Sequence, residues 1–514
     1  MLRTDSDEAL LTKGFWGEST LGHLFSTAIL PRFRPAAQGC RLVASVSLTL
    51  FIGESSGHKS ECSRAAFLIW SFFFLSLLAL QPRPVHAEQE AEIPPQEQSE
   101  WQEDSKEQAE IANNETSHES PVQVHGFVDN ILHYEDLLDV PSNWLVNTTR
   151  GTFRLFIEPA RQITMKVGVV GRMSHGTTDL NLAPFMPRPM WDALLPGAER
   201  YFYSHLENDL YLQEAYVTLK QESFWIRAGR QKFSTGTGYA FNPTDLFNQK
   251  NPIDPTYEND GIDAVRLGVQ LTDDKEIGFF LSPSRSRQPG VLARLTSVND
   301  SWEVSAQFTS VERFRTDWAG LNTVQGLAVV GGGDNLEGFS HGFRWNQPAI
   351  EFRKVWAGLE FYGEAGYVFV TVPDTVGGLV EDVGSHERVL VGIKPTLSER
   401  YGLILEYMRL GEGTIRNTPI GLNDMMGYFM GPLLTTNKDT FFAEGTVALA
   451  RKIELQFQTI IGMNHLTVYL NPWLHFDVAS GLRFSLSAYS NSGSADGANA
   501  NVGLGGFVRL RWDF

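Results

Sequence analysis

The stretch Phe507-Val508-Arg509-Leu510-Arg511-Trp512-Asp513-Phe514 alternates between apolar and polar side chains up to its final aromatic residue. Successive side chains of a β-strand point to opposite faces, so a period of two residues predicts an amphipathic strand. One face of this predicted strand carries Val508, Leu510, Trp512 and Phe514, and the other carries Arg509, Arg511 and Asp513.

The same alternation recurs in residues 265–270, 302–309, 453–458 and 482–487. It predicts an all-β chain of about eighteen strands, with sixteen left open because residues 338–371 are less regular. The predicted strands are 122–134, 150–159, 161–173, 210–220, 224–233, 261–271, 275–281, 289–297, 301–310, 338–346, 355–371, 387–396, 400–410, 439–450, 452–463, 466–477, 479–490 and 501–514.

The connections between the predicted strands alternate in length. Tight turns are expected at 159–161, 221–223, 272–274, 298–300 and 450–452, and long loops at 174–209, 234–260, 311–337 and 411–438. Short turns at one end and long loops at the other are typical of an antiparallel, up-and-down transmembrane β-barrel in an outer membrane. We therefore expect residues 121–514 to form this barrel, with the turns in the periplasm.

The N-terminal region has the features of export. Arg64 precedes the apolar run Ala65 to Leu80, and Val85-His86-Ala87 follows it, so residues 64–87 are expected to be a signal peptide cleaved after Ala87. Residues 1–63 are interpreted as a mis-started or disordered extension. Residues 88–120 hold 11 Asp and Glu against 1 Lys and are expected to form a disordered periplasmic linker.

Composition and motifs argue against several classes of protein. The formal net charge is −18 and no basic patch is present, which excludes a nucleic-acid partner. Cys40 and Cys62 both precede the expected cleavage site, so the mature chain would lack thiol chemistry. We find no G-x-S-x-G, H-E-x-x-H or P-loop motif, and His465 and His475 are too far apart for a local metal pair. We expect no enzyme activity, no metal and no cofactor.

Two stretches resemble known families. The alternating apolar residues Val508, Leu510, Trp512 and Phe514 resemble the signal by which the barrel-assembly machinery recognises its clients. Glu214-Ala215-Tyr216, Gly229-Arg230-Gln231 and Asn242-Pro243-Thr244-Asp245 together look like the strand pair and loop of porin-like and alginate-export-like barrels. This second resemblance implies an outer-membrane channel and names no substrate.

Two features of the predicted channel follow from side-chain chemistry. Asn242, Pro243 and Asp245 form a turn-rich cluster, so the loop around them is expected to be ordered and either to narrow the pore or to pack outward. Charged residues on the polar faces should point into the lumen, because Arg or Lys facing lipid costs about 2–4 kcal/mol at mid-bilayer. These pore-lining candidates are Arg154, Glu214, Arg266, Glu360, Glu364, Glu444, Glu454, Arg483, Arg509 and Arg511.

The sequence thus predicts a porin or substrate-selective channel of a Gram-negative outer membrane, surrounded by lipid, that passes small hydrophilic solutes by diffusion. Homo-oligomerisation stays open. The alternative is a barrel that sheathes a partner or forms the export component of a larger outer-membrane complex.

Overall fold

The computed structural model describes a defined part of the chain: residues 122–136, 143–181, 192, 203–253, 258–259, 261–283, 289–299, 301–316, 340–371, 384–398, 400–413, 435–492 and 503–514. The expected extension, signal peptide and linker, residues 1–120, lie outside the described residues.

The alternating segments form twenty strands in this part of the chain. They are β1 (Val122–Asp136), β2 (Asn143–Ala160), β3 (Ile163–Gly176), β4 (Asp179–Asn181), β5 (Tyr203–His205), β6 (Asp209–Lys220), β7 (Phe224–Gln231), β8 (Ile262–Thr272), β9 (Lys275–Ser282), β10 (Gly290–Asn299), β11 (Trp302–Thr316), β12 (Ser340–Trp356), β13 (Leu359–Thr371), β14 (His386–Pro395), β15 (Tyr401–Leu410), β16 (Asp439–Ala450), β17 (Ile453–Gly462), β18 (Thr467–Ala479), β19 (Leu482–Ser492) and β20 (Leu504–Asp513).

Eighteen of these strands form one closed antiparallel sheet, which confirms the predicted barrel and its strand number. Each strand pairs with the next along the chain, except that β3 pairs directly with β6, and β4 and β5 form a separate two-stranded sheet. The ring closes between β1 and β20, where Val128 lies opposite Trp512. Beyond the end of β20, Gly126 and Phe514 exchange two backbone hydrogen bonds of 2.8 and 2.9 Å.

The two faces of the barrel differ as the alternation predicts. On β11, Val304 and Phe308 are exposed, whereas Ser305, Gln307 and Thr309 are buried. The polar face is buried because it lies against the side chains and loop that occupy the interior, and the apolar face is turned outward. On this strand the arrangement is the reverse of a soluble fold, in which apolar side chains are buried.

The structure corrects several boundaries: β2 begins at Asn143 and not at residue 150, β11 extends to Thr316 and not to residue 310, and the gap after residue 346 is filled. Predicted strands 338–346 and 355–371 leave a gap, but β12 runs without interruption to Trp356 and β13 begins at Leu359. Pro348, which lacks an N–H, lies within β12: it pairs with Phe308 on β11, while the β12–β13 register passes over it. The turn instead lies at Ala357 and Gly358, whose φ angles of 51° and 75° suit a two-residue hairpin.

The predicted tight turns lie at one end of the barrel, together with Val122 and Phe514, whereas the four-residue turn 463–466 between β17 and β18 lies at the opposite end. The strand ends that lead into the connections 177–208, 232–261, 317–339 and 411–438 lie at the opposite end, and the bounds of these connections are close to the predicted ranges.

Candidate functional site

The connection between β7 and β8, residues 232–261 and hereafter the β7–β8 loop, crosses the interior of the barrel. Its Thr244 bonds to Glu364 on β13, and its Glu258 bonds to Arg154 on β2. β13 lies nine places from β2 in the ring of eighteen strands, so these contacts are on opposite walls. A loop that touches inward-facing side chains of opposite strands lies in the lumen.

Three carboxylates of one wall, Glu351 on β12, Glu364 on β13 and Glu406 on β15, accept hydrogen bonds from the loop. Glu351 accepts the Gly236 N–H at 3.1 Å, and Glu364 accepts the Gly238 N–H at 3.2 Å. Each of these carboxylates is at most 2% exposed. Buried charges require such partners, because an unpaired carboxylate in the interior is strongly destabilising.

Glu406 alone binds three consecutive backbone amides. It accepts the N–H groups of Tyr239, Ala240 and Phe241, the last two at 3.1 to 3.2 Å, and the hydroxyl of Tyr362 donates to it at 3.0 Å. An ionised acceptor makes each of these hydrogen bonds stronger than a neutral pair. Glu406 therefore fixes the backbone of the loop in one conformation.

Asp245 organises the loop from within. The donors to its carboxylate, at 2.7 to 3.2 Å, are the backbone N–H groups of Thr235, Phe247 and Asn248 and the side chains of Ser234 and Asn242. Burial raises the pKa of Asp245 to about 6, although the N–H groups of Asn248, Thr235 and Phe247 act in the opposite direction. The predicted turn cluster is thus an ordered, hydrogen-bonded turn.

The predicted residues Asn242 and Pro243 both hold this turn in place. The side-chain amide of Asn242 donates to the carbonyl of Asn248 at 2.7 Å. The carbonyl of Pro243 accepts hydrogen bonds of 3.3 Å from Gln347 and Arg388 on the wall. The sequence cluster therefore supplies both the internal structure of the turn and part of its attachment.

The opposite wall is basic. Glu258 of the loop lies 3.1 Å from Arg150 and 3.0 Å from Arg154, both on β2, and 3.3 Å from Lys232. Burial disfavours the ionised form of Glu258, but the charges of Lys232, Arg150 and Arg154 outweigh burial and lower its pKa well below the usual range. The loop therefore offers N–H donors to the acidic wall and a carboxylate to the basic wall.

The segment that follows β15 also reaches this region, where its Glu412 contacts Arg388 on β14. This fully buried guanidinium bonds to Glu412, which follows β15, and packs over the ring of Trp345 at 4.9 Å. His386 lies 3.0 Å from the same carboxylate. Burial disfavours ionisation of Glu412, but the Arg388 charge and the His386 hydrogen bond lower its pKa to about 2.

The ten pore-lining candidates lie on the inward faces but do not form one site. Most have partners within the wall, at donor-acceptor distances of 2.7 to 3.3 Å: Glu214 with Lys166, Glu360 with Arg353, Glu444 with Gln458, Arg483 with Asp477, Arg509 with Asp129 and Arg511 with Asp513. Arg154 and Glu364 contact the loop as described, Arg266 lies over Trp225 and Phe233, and Glu454 lies opposite His475. A role of the ten candidates in lining a conducting pore stays a prediction.

Sequence reasoning missed four residues of the site, Arg150, Glu258, Glu351 and Glu406. Glu351 falls in the gap between the predicted strands 338–346 and 355–371, so the sequence placed it on neither face of the barrel. Glu406 was visible as a single acid on the apolar inward face of β15, between Ile404 and Met408. No signal in the sequence pointed to Glu258.

Two further findings concern the described residues alone. No helix in this part of the chain is long and apolar enough to cross a membrane. Within the same ranges, no group of three or more His, Asp or Glu side chains could hold a metal ion.

Comparisons with known proteins give matches of structure only. No protein-family model matches the sequence, and no curated protein matches it. Solved structures that align with the chain include OccAB1 of Acinetobacter baumannii, with 10% identity, a TM-score of 0.45 and coverage of 78% of this chain and 98% of that chain. OprD of Pseudomonas aeruginosa aligns with 8% identity, a TM-score of 0.44 and coverage of 76% and 95%.

A loop-deletion mutant of OmpT, an outer membrane protein of Vibrio cholerae, aligns with 8% identity, a TM-score of 0.39 and coverage of 77% of this chain and 100% of that chain. The barrel architecture stated above rests on the strand pairing of this chain itself. The resemblance of residues 213–248 to alginate-export-like barrels stays a prediction.

Proposed function

We propose that the chain is an outer-membrane channel through which small hydrophilic solutes diffuse, past a lumen narrowed by the β7–β8 loop. The observation that carries this proposal is the outward face of the closed barrel. It exposes large apolar side chains on strands around the ring, among them Phe153, Val217, Phe279, Phe308 and Val391. Apolar surface on this scale suits a lipid environment and would be unfavourable in water.

Aromatic residues at both ends of the outward face support the same environment. Trp302, Trp356, Trp512 and Phe514 are exposed near the tight turns. Tyr134, Tyr367 and Phe369 are exposed near the long loops. Aromatic girdles at the two lipid-water interfaces are typical of outer-membrane barrels.

The proposal includes an orientation. The tight turns would face the periplasm with the linker of residues 88–120, and the long loops would face outward. The exposed residues Leu510, Trp512 and Phe514, together with Val508, would then present the assembly signal to the barrel-assembly machinery from the lipid side of β20.

The crossing of the lumen by the β7–β8 loop supports a channel over a sheath. A sheathed partner would need the space that the loop occupies between the acidic wall and the basic wall. No catalytic step is part of the proposed function, and transport requires only diffusion along the charged lumen.

Planar-bilayer recording tests the proposal. We expect the purified chain to form discrete conducting channels in KCl, and deletion of residues 240–255 to raise their conductance. Unchanged conductance of a correctly folded deletion variant would contradict the constriction. Absence of channels, together with stoichiometric partners on purification, would favour the sheath instead.

A further inference from the structure

One oxygen of Glu258 is contacted by four side chains. Its Oε2 lies 3.1 Å from Arg150 Nη2, 3.0 Å from Arg154 Nη2, 3.3 Å from Lys232 Nζ and 3.1 Å from Gln213 Nε2. The side chain is 8% exposed. Convergence of charged and amide donors on one oxygen is the geometry with which proteins bind a free carboxylate or another oxyanion.

Among the described side chains around Glu258, cations outnumber carboxylates. Glu214 adds a second carboxylate, 3.3 Å from Lys166 and 3.8 Å from Arg154. Among the side chains that the structure describes here, four cations, Arg150, Arg154, Lys166 and Lys232, contact two carboxylates, a difference of two positive charges. A local surplus of cations in a narrow lumen attracts anions.

The cations are positioned by the wall as well as by Glu258. The guanidinium groups of Arg150, Arg154 and Arg511 lie 5.6, 5.9 and 4.1 Å from the centre of the Phe127 ring. Cation–π attraction and β-strand geometry hold Arg150 and Arg154 in place without the loop carboxylate. The donor set would therefore persist after Glu258 leaves.

Glu258 differs from the carboxylates on strands that pair with arginines of the wall. Asp129, which pairs with Arg509, lies on a strand whose position is fixed by its ladder of hydrogen bonds. Glu258 belongs to a loop, so its carboxylate can withdraw without breaking the barrel wall.

We propose that Arg150, Arg154, Lys232 and Gln213 form an oxyanion-binding site in the lumen, which Glu258 occupies as an internal ligand. A carboxylate, sulfate or phosphate group of an incoming solute displaces the Glu258 carboxylate and takes over its donors. The inference deepens the proposed channel function, since the solute reaches the site along the lumen.

Sulfate binding to the purified, detergent-solubilised chain tests the site without requiring conduction. We compare the wild type, Glu258→Gln and, as a matched control, Glu158→Gln, an exposed acid on β2 away from the cluster. Isothermal titration should show sulfate binding about tenfold tighter in Glu258→Gln, because the internal competitor has lost its charge. The control should match the wild type.

Equal sulfate affinity in the wild type and Glu258→Gln would overturn the proposal. So would undiminished binding after Arg150→Gln and Arg154→Gln are added to Glu258→Gln. Arg154→Lys in the same background keeps the charge and guards against misfolding of the double arginine variant, and it should retain weakened binding.

Bilayer recording then separates this inference from the channel proposal. In a KCl gradient the reversal potential of Glu258→Gln should shift toward anion selectivity, while Glu158→Gln should not shift. Sulfate binding without any conduction would support the site and contradict the channel. Conduction with no difference in sulfate affinity would contradict the site and leave the channel intact.

Discussion

Thr244 and Glu364 are joined twice, since both the backbone N–H of Thr244, at 3.0 Å, and its hydroxyl donate to the same carboxylate oxygen. The same hydroxyl oxygen also lies 3.1 Å from Glu351 Oε1, so the two carboxylates share its single proton. One threonine of the β7–β8 loop is thus held by two adjacent strands of the acidic wall, β12 and β13. The loop is consequently attached through its backbone, where a change of side chain cannot easily remove the donor.

Glu364→Ala should release the first half of the β7–β8 loop. Removal of the carboxylate leaves the N–H groups of Gly238 and Thr244 without acceptors, at a cost of about 1–3 kcal/mol for each buried group. Amide hydrogen exchange of residues 236–246 should accelerate while the strands stay protected. Glu303→Ala is the control, and equal acceleration in both variants would contradict the role of Glu364.

Gly236→Ala should distort the same segment. Gly236 has a φ of 94°, and an added Cβ would lie 2.8 Å from Glu364 Oε2 and 2.9 Å from the Cβ of Asn242. We expect about 1–3 kcal/mol of strain, and raised channel conductance as the loop moves. Gly445→Ala, where the Cβ would meet no atom within 4 Å, should keep wild-type conductance. Wild-type conductance in both variants would show that this backbone conformation is not required.

Low pH should weaken the ion pair between Glu412 and Arg388. Its pKa is lowered to about 2 from 4.5, so its ionised form stabilises the folded state above pH 4.5, and this stabilisation disappears as pH falls from 4.5 toward 2. The amount is about 3 kcal/mol, since one pKa unit corresponds to about 1.4 kcal/mol. Thermal unfolding should show the wild type more stable than Glu412→Gln at pH 6 and the two nearly equal at pH 2. A difference that is constant with pH would contradict this assignment.

If the outward face of the barrel contacts lipid, the free-energy cost of an arginine substitution on that face should depend on its depth in the membrane. Phe308 lies on the outward face of β11, between Trp302 near the turns and Glu312 toward the loops. Phe308→Arg should destabilise the barrel in lipid vesicles by about 2–4 kcal/mol, whereas Leu271→Arg, beside the turn between β8 and β9, should cost about 0–1 kcal/mol. Urea unfolding in vesicles measures both. Equal and small effects would argue against a membrane environment.

Much of the barrel could be predicted because one physical rule repeats in every strand. Alternation such as that of residues 302–309 is visible without knowledge of any partner, since a strand of this kind has one lipid-type face and one polar face. The rule was least clear over residues 338–371, where β12 contains Pro348. The fold tolerates it because the β12–β13 register passes over that position.

The candidate site could be predicted only in part, because its contacts join residues far apart in sequence. Asn242 and Asp245 interact across three residues, and turn chemistry revealed them. The pairing of Glu258 with Arg154 spans 104 residues and depends on the path of a loop through the lumen. No local pattern encodes that path.

The attachment of the β7–β8 loop to β2 and β13 also has a mechanical consequence. A barrel wall is a single sheet thick, and a ring of that kind can flatten toward an ellipse when pressed from the side. The loop contacts two points across the diameter, through Thr244 and, while Glu258 occupies its donors on β2, through Glu258, so in that state it ties the two walls together. Widening the ring along that diameter would stretch these hydrogen bonds, and the cross-section of the barrel is therefore braced from within.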